Sequence, residues 1–155
     1  MLKQFFLFLI ISFALASCDK DPCKDVDCGN GTCDSGNCIC DTGYEGLNCE
    51  VEQRQAFVAD YTVDETCNLG NFNYVISLTS NSEVGTELTI ANIGDFGFEI
   101  VAIVSGTSFS ITDQIVNGAT LNGSGQLVND VLTIDYTMET TSGQILSCTM
   151  LCNPV

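Results

Sequence analysis

The sequence predicts a mostly β protein: a small disulfide-rich module followed by an eight-stranded antiparallel meander. The meander is expected to form a small barrel or curled sheet, with a β-sandwich as the alternative. Three observations predict this. Six cysteines fall between Cys23 and Cys49. Beyond Phe57, apolar residues recur at every second position, the period of a half-buried strand. Turn signals interrupt that alternation roughly every 10 residues. No helical period of useful length competes with it.

The chain opens with Lys3 and a mostly apolar run from Phe5 to Leu15. The run falls short of the about 20 residues that span a bilayer. Residues 1–17 have the layout of a secretory leader, expected to be removed. The leader runs into Leu15-Ala16-Ser17-Cys18. This tetrapeptide resembles the bacterial lipoprotein signal, in which cleavage falls before the cysteine. The resemblance implies that Cys18 becomes the first residue and carries a thioether-linked diacylglycerol and an acylated amine. Several acyl chains, at about 0.8 kcal/mol per buried methylene, make such an anchor effectively permanent. Residues 18–22 then form a tether from the membrane. Its acids, Asp19 and Asp21, resemble the surface-export signal of Bacteroidetes-like lipoproteins; in some other bacteria an acid behind the cysteine holds the protein at the inner membrane. The expected location is the outer membrane, at the cell surface, with a periplasm-facing arrangement left open.

Next come Cys23, Cys28, Cys33, Cys38, Cys40 and Cys49, with Gly29, Gly31 and Gly36 suited to tight turns between the early ones. Six cysteines permit fifteen pairings. A bridge between Cys38 and Cys40 would need a strained turn, whereas Cys40 and Cys49 can close a hairpin through Gly43 and Gly46. A module this small buries too little surface to fold without bridges. The closing pattern Cys38-Ile39-Cys40, Gly43-Tyr44-Glu45-Gly46 and Cys49 resembles an EGF-like domain, spanning residues 23–50. The resemblance implies the pairs Cys23–Cys33, Cys28–Cys38 and Cys40–Cys49. Zinc is not expected, because the spacing lacks paired C-x-x-C units and an export signal precedes it. The calcium-binding variant of the EGF-like pattern is half missing: Pro22 stands where Glu or Gln is needed, and no aromatic lies between Cys33 and Cys38.

Residues 51–155 form the β-domain. The polar stretch Glu50–Gln55 is a short junction that starts a brief helical turn into Phe57. The first strand carries Phe57, Ala59, Tyr61, Val63 and Cys67 on one face, and the second carries Phe72, Tyr74, Ile76 and Leu78. Leu88 and Ile90 mark the third, and Phe98, Ile100, Ala102 and Val104 the fourth. Phe109 and Ile111 open the fifth, which runs on to Ile115 and Val116; the Gly- and Ser-rich stretch Ala119–Val128 is the sixth. Leu132, Ile134, Tyr136 and Met138 form the seventh, and Leu146, Cys148, Met150 and Cys152 the eighth. Asn117-Gly118 and Asn129-Asp130 suit tight hairpins. Short connections favour a barrel, because closure removes the two exposed edges of an open meander. The aromatic entry strand at Tyr61, the Glu65-Thr66-Cys67 that ends it, and Ser147-Cys148-Thr149 near the last strand resemble the lipocalin-like domains of secreted Bacteroidetes lipoproteins. Where lipocalins proper begin with Gly-x-Trp, this chain has Ala59-Asp60-Tyr61.

Three further cysteines lie in this domain. In an even-stranded up-and-down meander the last strand runs antiparallel to the first, so the end of strand one is level with the start of strand eight. That favours Cys67–Cys148 over Cys67–Cys152 and leaves Cys152 free or capped. An odd strand count would reverse the choice.

Twenty acids against four Lys and Arg give a net charge of −16, and losing Lys3 with the leader adds one more negative unit. Such a surface repels nucleic acid, so that partner is not expected. There is no histidine, which removes Ser-His-Asp and Cys-His catalysis and the commonest transition-metal ligand. Asp64 and Glu65 are adjacent and face opposite sides of a strand, so they do not work as an acid–base pair. Asp60, Asp64 and Asp135 fall on the outer face, and Asp113 is expected beyond the end of its strand. The stretch Asn122-Gly123-Ser124-Gly125 has no lysine and no following helix, so it is not a phosphate cradle. No active site, cofactor or metal is expected. The expected function is a membrane-anchored, surface-exposed interaction or adhesion module with an unknown protein or glycan partner. The alternative is a small apolar ligand inside the barrel, among Tyr61, Phe72, Tyr74, Phe98, Phe109, Tyr136 and Met138. In a barrel of eight strands such side chains ordinarily fill the core.

Overall fold

The computed structural model describes residues 20–80 and 83–155. The expected leader, the lipidation residue Cys18 and Asp19 lie outside the described residues.

The cysteine module has two small hairpins. Strand β1 (Gly31–Asp34) pairs with β2 (Asn37–Cys40), and β3 (Tyr44–Glu45) with β4 (Val51–Glu52). Its bridges are Cys23–Cys33, Cys28–Cys38 and Cys40–Cys49. Among its described residues only Cys28 and Cys49 are buried hydrophobics, so covalent bonds stand in for a core.

A 3-10 turn at Gln53–Phe57 leads into eight long strands: β5 (Ala59–Cys67), β6 (Gly70–Thr79), β7 (Glu87–Ala91), β8 (Glu99–Ser105), β9 (Ser108–Val116), β10 (Ala119–Val128), β11 (Val131–Thr140) and β12 (Ile145–Pro154). Each pairs antiparallel with the next, and β12 returns to β5, so the sheet is a closed barrel. Closure leaves no free sheet edge along that seam, which settles barrel against sandwich. Cys67 and Cys148 are opposite each other across the β5–β12 seam and are bridged. Cys152 is a buried free thiol.

Strand period does the sorting. On β5, Tyr61, Val63 and Glu65 point inward, while Asp60, Thr62 and Asp64 point out. On β11, Leu132, Ile134, Tyr136 and Met138 point inward and Asp135 outward. The outer wall therefore carries acids and threonines, held by cross-strand bonds such as Asn73 to Asp64 and Ser77 to Asp60. The core is one continuous cluster that fills the barrel from Phe57 to Met138.

Two features depart from plain alternation. Between Leu121 and Gly123 the β9–β10 register shifts, so Thr112 and Asp113 together face Asn122 across a bulge. Asp113 thus lies within β9, not beyond it, and accepts a hydrogen bond from Asn122 at 2.9 Å. The bulge reverses the inward face, which is why Ile115 is 82% exposed while Val116 packs on the core. At Gly125 the inward side chain is missing because the Phe109 ring occupies its place; a Cβ there would overlap the ring.

Candidate functional site

The ends of the barrel differ. At the lower end the 3-10 turn lays Phe57 into the core, edge-on to Phe109 with ring centres 5.5 Å apart. The Tyr61 hydroxyl donates to the Phe57 carbonyl at 3.0 Å. Arg54 is buried beside it: Nη1 donates to the carbonyls of Val84 and Glu87 at 2.8 and 3.0 Å, and Nε to Glu52 at 2.8 Å. The guanidinium bond, helped by Gln55, holds the Glu52 carboxyl below its usual range. The cysteine module adjoins this end, where Gly43 and Tyr44 approach Gly85 and Thr86. The Gly106 N–H donates to Gln53 Oε1 at 3.0 Å.

The upper end is bounded by the turns after β5, β7, β9 and β11. Three of them are short: 68–69, 117–118 and 141–144. A hollow of about 460 Å³ lies there, lined by Leu69, Phe96, Met138, Ile145 and Leu146, with Thr140 and Gln144 at its edge. Its rim is apolar and wet: Leu69 is 77% exposed, Ile145 57% and Phe96 46%. Water-exposed apolar side chains gathered around one concavity mark a binding surface more often than scattered ones do.

The fourth connection, residues 92–98, is the longest of the upper turns. β7 is short and pairs with β6 only across Ser77–Thr79. Above that point this segment covers the wall in place of a strand. Asn92 Nδ2 donates to the Val75 carbonyl at 2.9 Å, and the Gly94 N–H donates to the Tyr74 hydroxyl at 3.0 Å. Phe96 stacks on Phe98 at 5.6 Å. Gly94 has φ +66° and lies under the Phe96 ring, so both its backbone and its lack of a Cβ are required.

Two residues before Cys67 on β5, deeper in the barrel, is a buried polar group. Glu65 is 3% exposed, and its Oε1 accepts from the Tyr136 hydroxyl at 2.7 Å. The Tyr74 hydroxyl lies near the same carboxylate. Burial, followed by the neighbouring carboxylate, pushes both tyrosine hydroxyls far above their ordinary range, so they remain donors at any physiological pH. Burial pushes the Cys152 thiol up to about 12, with Glu65 adding to the effect, so it is a packed side chain and not a nucleophile. Glu65 lies close to the sulfurs of Cys67 and Cys148, but those two are bonded to each other and offer no thiolate to a metal.

Of the aromatic and apolar residues expected inside, Tyr61, Phe109, Tyr136 and Met138 are buried, and Tyr74 and Phe98 are partly so. Phe72 is 47% exposed, because β7 pairs with β6 only across Ser77–Thr79 and no strand flanks Phe72 on that side. Glu65 itself was legible only through parity: it shares the face of Val63 and Cys67. Phe96 falls in a turn, where strand period says nothing. A separate hollow of about 310 Å³ runs over Ser110, Ser124, Gln126 and Asp135 on the outer wall; its lining is mostly small and polar.

No protein-family model matches the chain, and no curated protein sequence matches it. Among solved structures, the chain is similar to zebrafish ileal bile acid-binding protein complexed with cholic acid, at 10% identity and a TM-score of 0.39, over 64% of this chain and 99% of that one. A likeness that distant adds nothing to the barrel geometry described above.

Proposed function

We propose that the protein is an exported, lipid-anchored, non-catalytic binding protein whose barrel takes a small apolar molecule at its upper mouth. The observation that carries this reading is the apolar hollow between Leu69, Phe96 and Ile145, open to solvent above a filled core. Such a concavity gives an apolar ligand surface to bury without first emptying the barrel. The site is held by side chains with no nucleophile or acid–base pair among those that line it.

Export is supported by the leader and by the cysteines, since such bridges persist only in oxidising surroundings. Acylation of Cys18 is supported by Leu15-Ala16-Ser17-Cys18, and a cell-surface location in the outer membrane by the acids that follow. The order of the bridges, first to third, second to fourth and fifth to sixth, supports an EGF-like module that spaces the barrel from the membrane. Adhesion through that module has less in its favour. Its exposed large apolar residues, Ile39, Leu47 and Val51, are not among those that line the mouth.

The test is titration of the exported protein with the neutral dye Nile red, followed by fluorescence. Saturable one-to-one binding, weakened by Ile145→Gln and unaffected by Ile39→Gln, is expected. Binding that ignores Ile145→Gln would reject the mouth as the site. Metabolic labelling with a radioactive fatty acid, lost in Cys18→Ser, tests the anchor separately.

A further inference from the structure

The ligand's chemistry is narrowed by charge. Between Gln55 and Val155 there are eleven acids and no lysine, arginine or histidine. The nearest basic residue in sequence, Arg54, is committed to the opposite end of the barrel. Glu65 is therefore a carboxylate 3% exposed in a barrel that supplies it no cation. The Tyr136 hydroxyl hydrogen-bonds it, and the Tyr74 hydroxyl lies near. Carboxylates removed from water are ordinarily matched by a positive charge.

Its position suits an incoming one. Met138 is the next inward residue above Tyr136 on β11, and Leu146 the next above Cys148 on β12. Both line the apolar hollow. Phe72, opposite Glu65 on β6, already reaches solvent. Met138 and the Cys67–Cys148 bridge lie between the carboxylate and the hollow, but the Tyr136 hydroxyl that bonds the carboxylate also lies against Gly94, under the Phe96 ring of the rim, and methionine side chains repack at little cost.

The geometry points to an organic amine with an apolar body as the ligand class: the body in the mouth among Leu69, Phe96 and Ile145, the ammonium beside Glu65. This rests on the reading of the mouth as a small-molecule site. The ammonium donates to the carboxylate, while the Tyr136 hydroxyl holds that carboxylate in place. The remaining acids of the barrel draw cations toward the opening and repel carboxylate-bearing amphiphiles.

The experiment uses the exported full chain carrying Cys18→Ser, which blocks acylation and alters no described residue. Decylamine, decanol and decanoate, all below their micelle concentrations, are titrated by calorimetry in low salt and again in 0.5 M NaCl. Decylamine is expected to bind roughly 10-fold or more tighter than decanol, a charge-assisted bond in a dry site being worth that much, with decanoate weakest. The preference is expected to persist in salt, which screens surface charge far more than a buried pair. It should vanish in Glu65→Gln and survive in Asp64→Asn on the outer face of the same strand. Decanol binding without an amine preference, a preference abolished by salt, or one retained in Glu65→Gln would overturn the assignment and leave the mouth itself standing. Failure of all three ligands would overturn both. If Glu65→Gln does not fold, the ligand series and its salt dependence decide the matter alone.

Discussion

At its lower end the barrel receives Phe57 and Arg54 into its interior; at its upper end it presents Leu69, Phe72, Phe96 and Ile145 to water. Both ends are made by the same alternating strands. They differ in what the chain does between strands. Below, the segment that enters the barrel folds across the opening and satisfies the carbonyls of Val84 and Glu87 with a guanidinium. Above, the hairpins turn back tightly, and only residues 92–98 extend over the wall. The closed end buries its apolar and charged groups, and the open end leaves apolar surface to water.

That contrast is sharpened first at the seam. Removing the Cys67–Cys148 bridge by replacing both with serine frees a loop of 81 residues. The chain-entropy model puts the loss at about 4–5 kcal/mol, measurable by urea unfolding. Phe57→Ala should cost about 4 kcal/mol, because the ring is fully buried against Phe109 and nothing adjacent can fill its space. If this substitution proved mild, the lower end would not be the stabilising one.

Tyr136→Phe should cost about 1–2 kcal/mol by leaving Glu65 a donor short. It also changes the alkaline limb. Tyr136 and Tyr74 start from an ordinary value of 10 and are raised in the folded protein, and Cys152 rises from 9 to about 12. Above those ordinary values the unfolded chain loses protons that the folded one keeps. The contribution of these groups is therefore full below pH 9, falls as pH climbs through 9 to 12, and falls less steeply in Tyr136→Phe. Unfolding midpoints measured across that range check the sign. The smallest stability effect belongs to the mouth. Phe96→Ala should change unfolding by about 0.5 kcal/mol or less, as half-exposed residues do, yet weaken dye binding about 5-fold.

Much of this architecture was legible in the sequence. Eight stripes of alternating residues, interrupted by Asn-Gly and Asn-Asp pairs, specify eight strands, and an even number brings Cys67 level with Cys148. The candidate site was less legible, for physical reasons. Glu65 has the parity of an interior residue and the chemistry of an exterior one; only a contact from β11, 71 residues away, resolves the conflict. Phe96 acts from a turn whose path is set by the shortness of β7. Asp113 was misplaced because one bulged residue in β9 reverses the faces that follow it.

Amide chemical shifts of isotope-labelled protein, followed during titration with decanol, test the mouth most directly. Perturbations confined to Leu69, Phe96, Ile145, Leu146 and their neighbours are expected, with Phe57 and Phe109 unmoved. Shifts centred on the lower end, or none at saturating ligand, would contradict a barrel shut below and open for binding above.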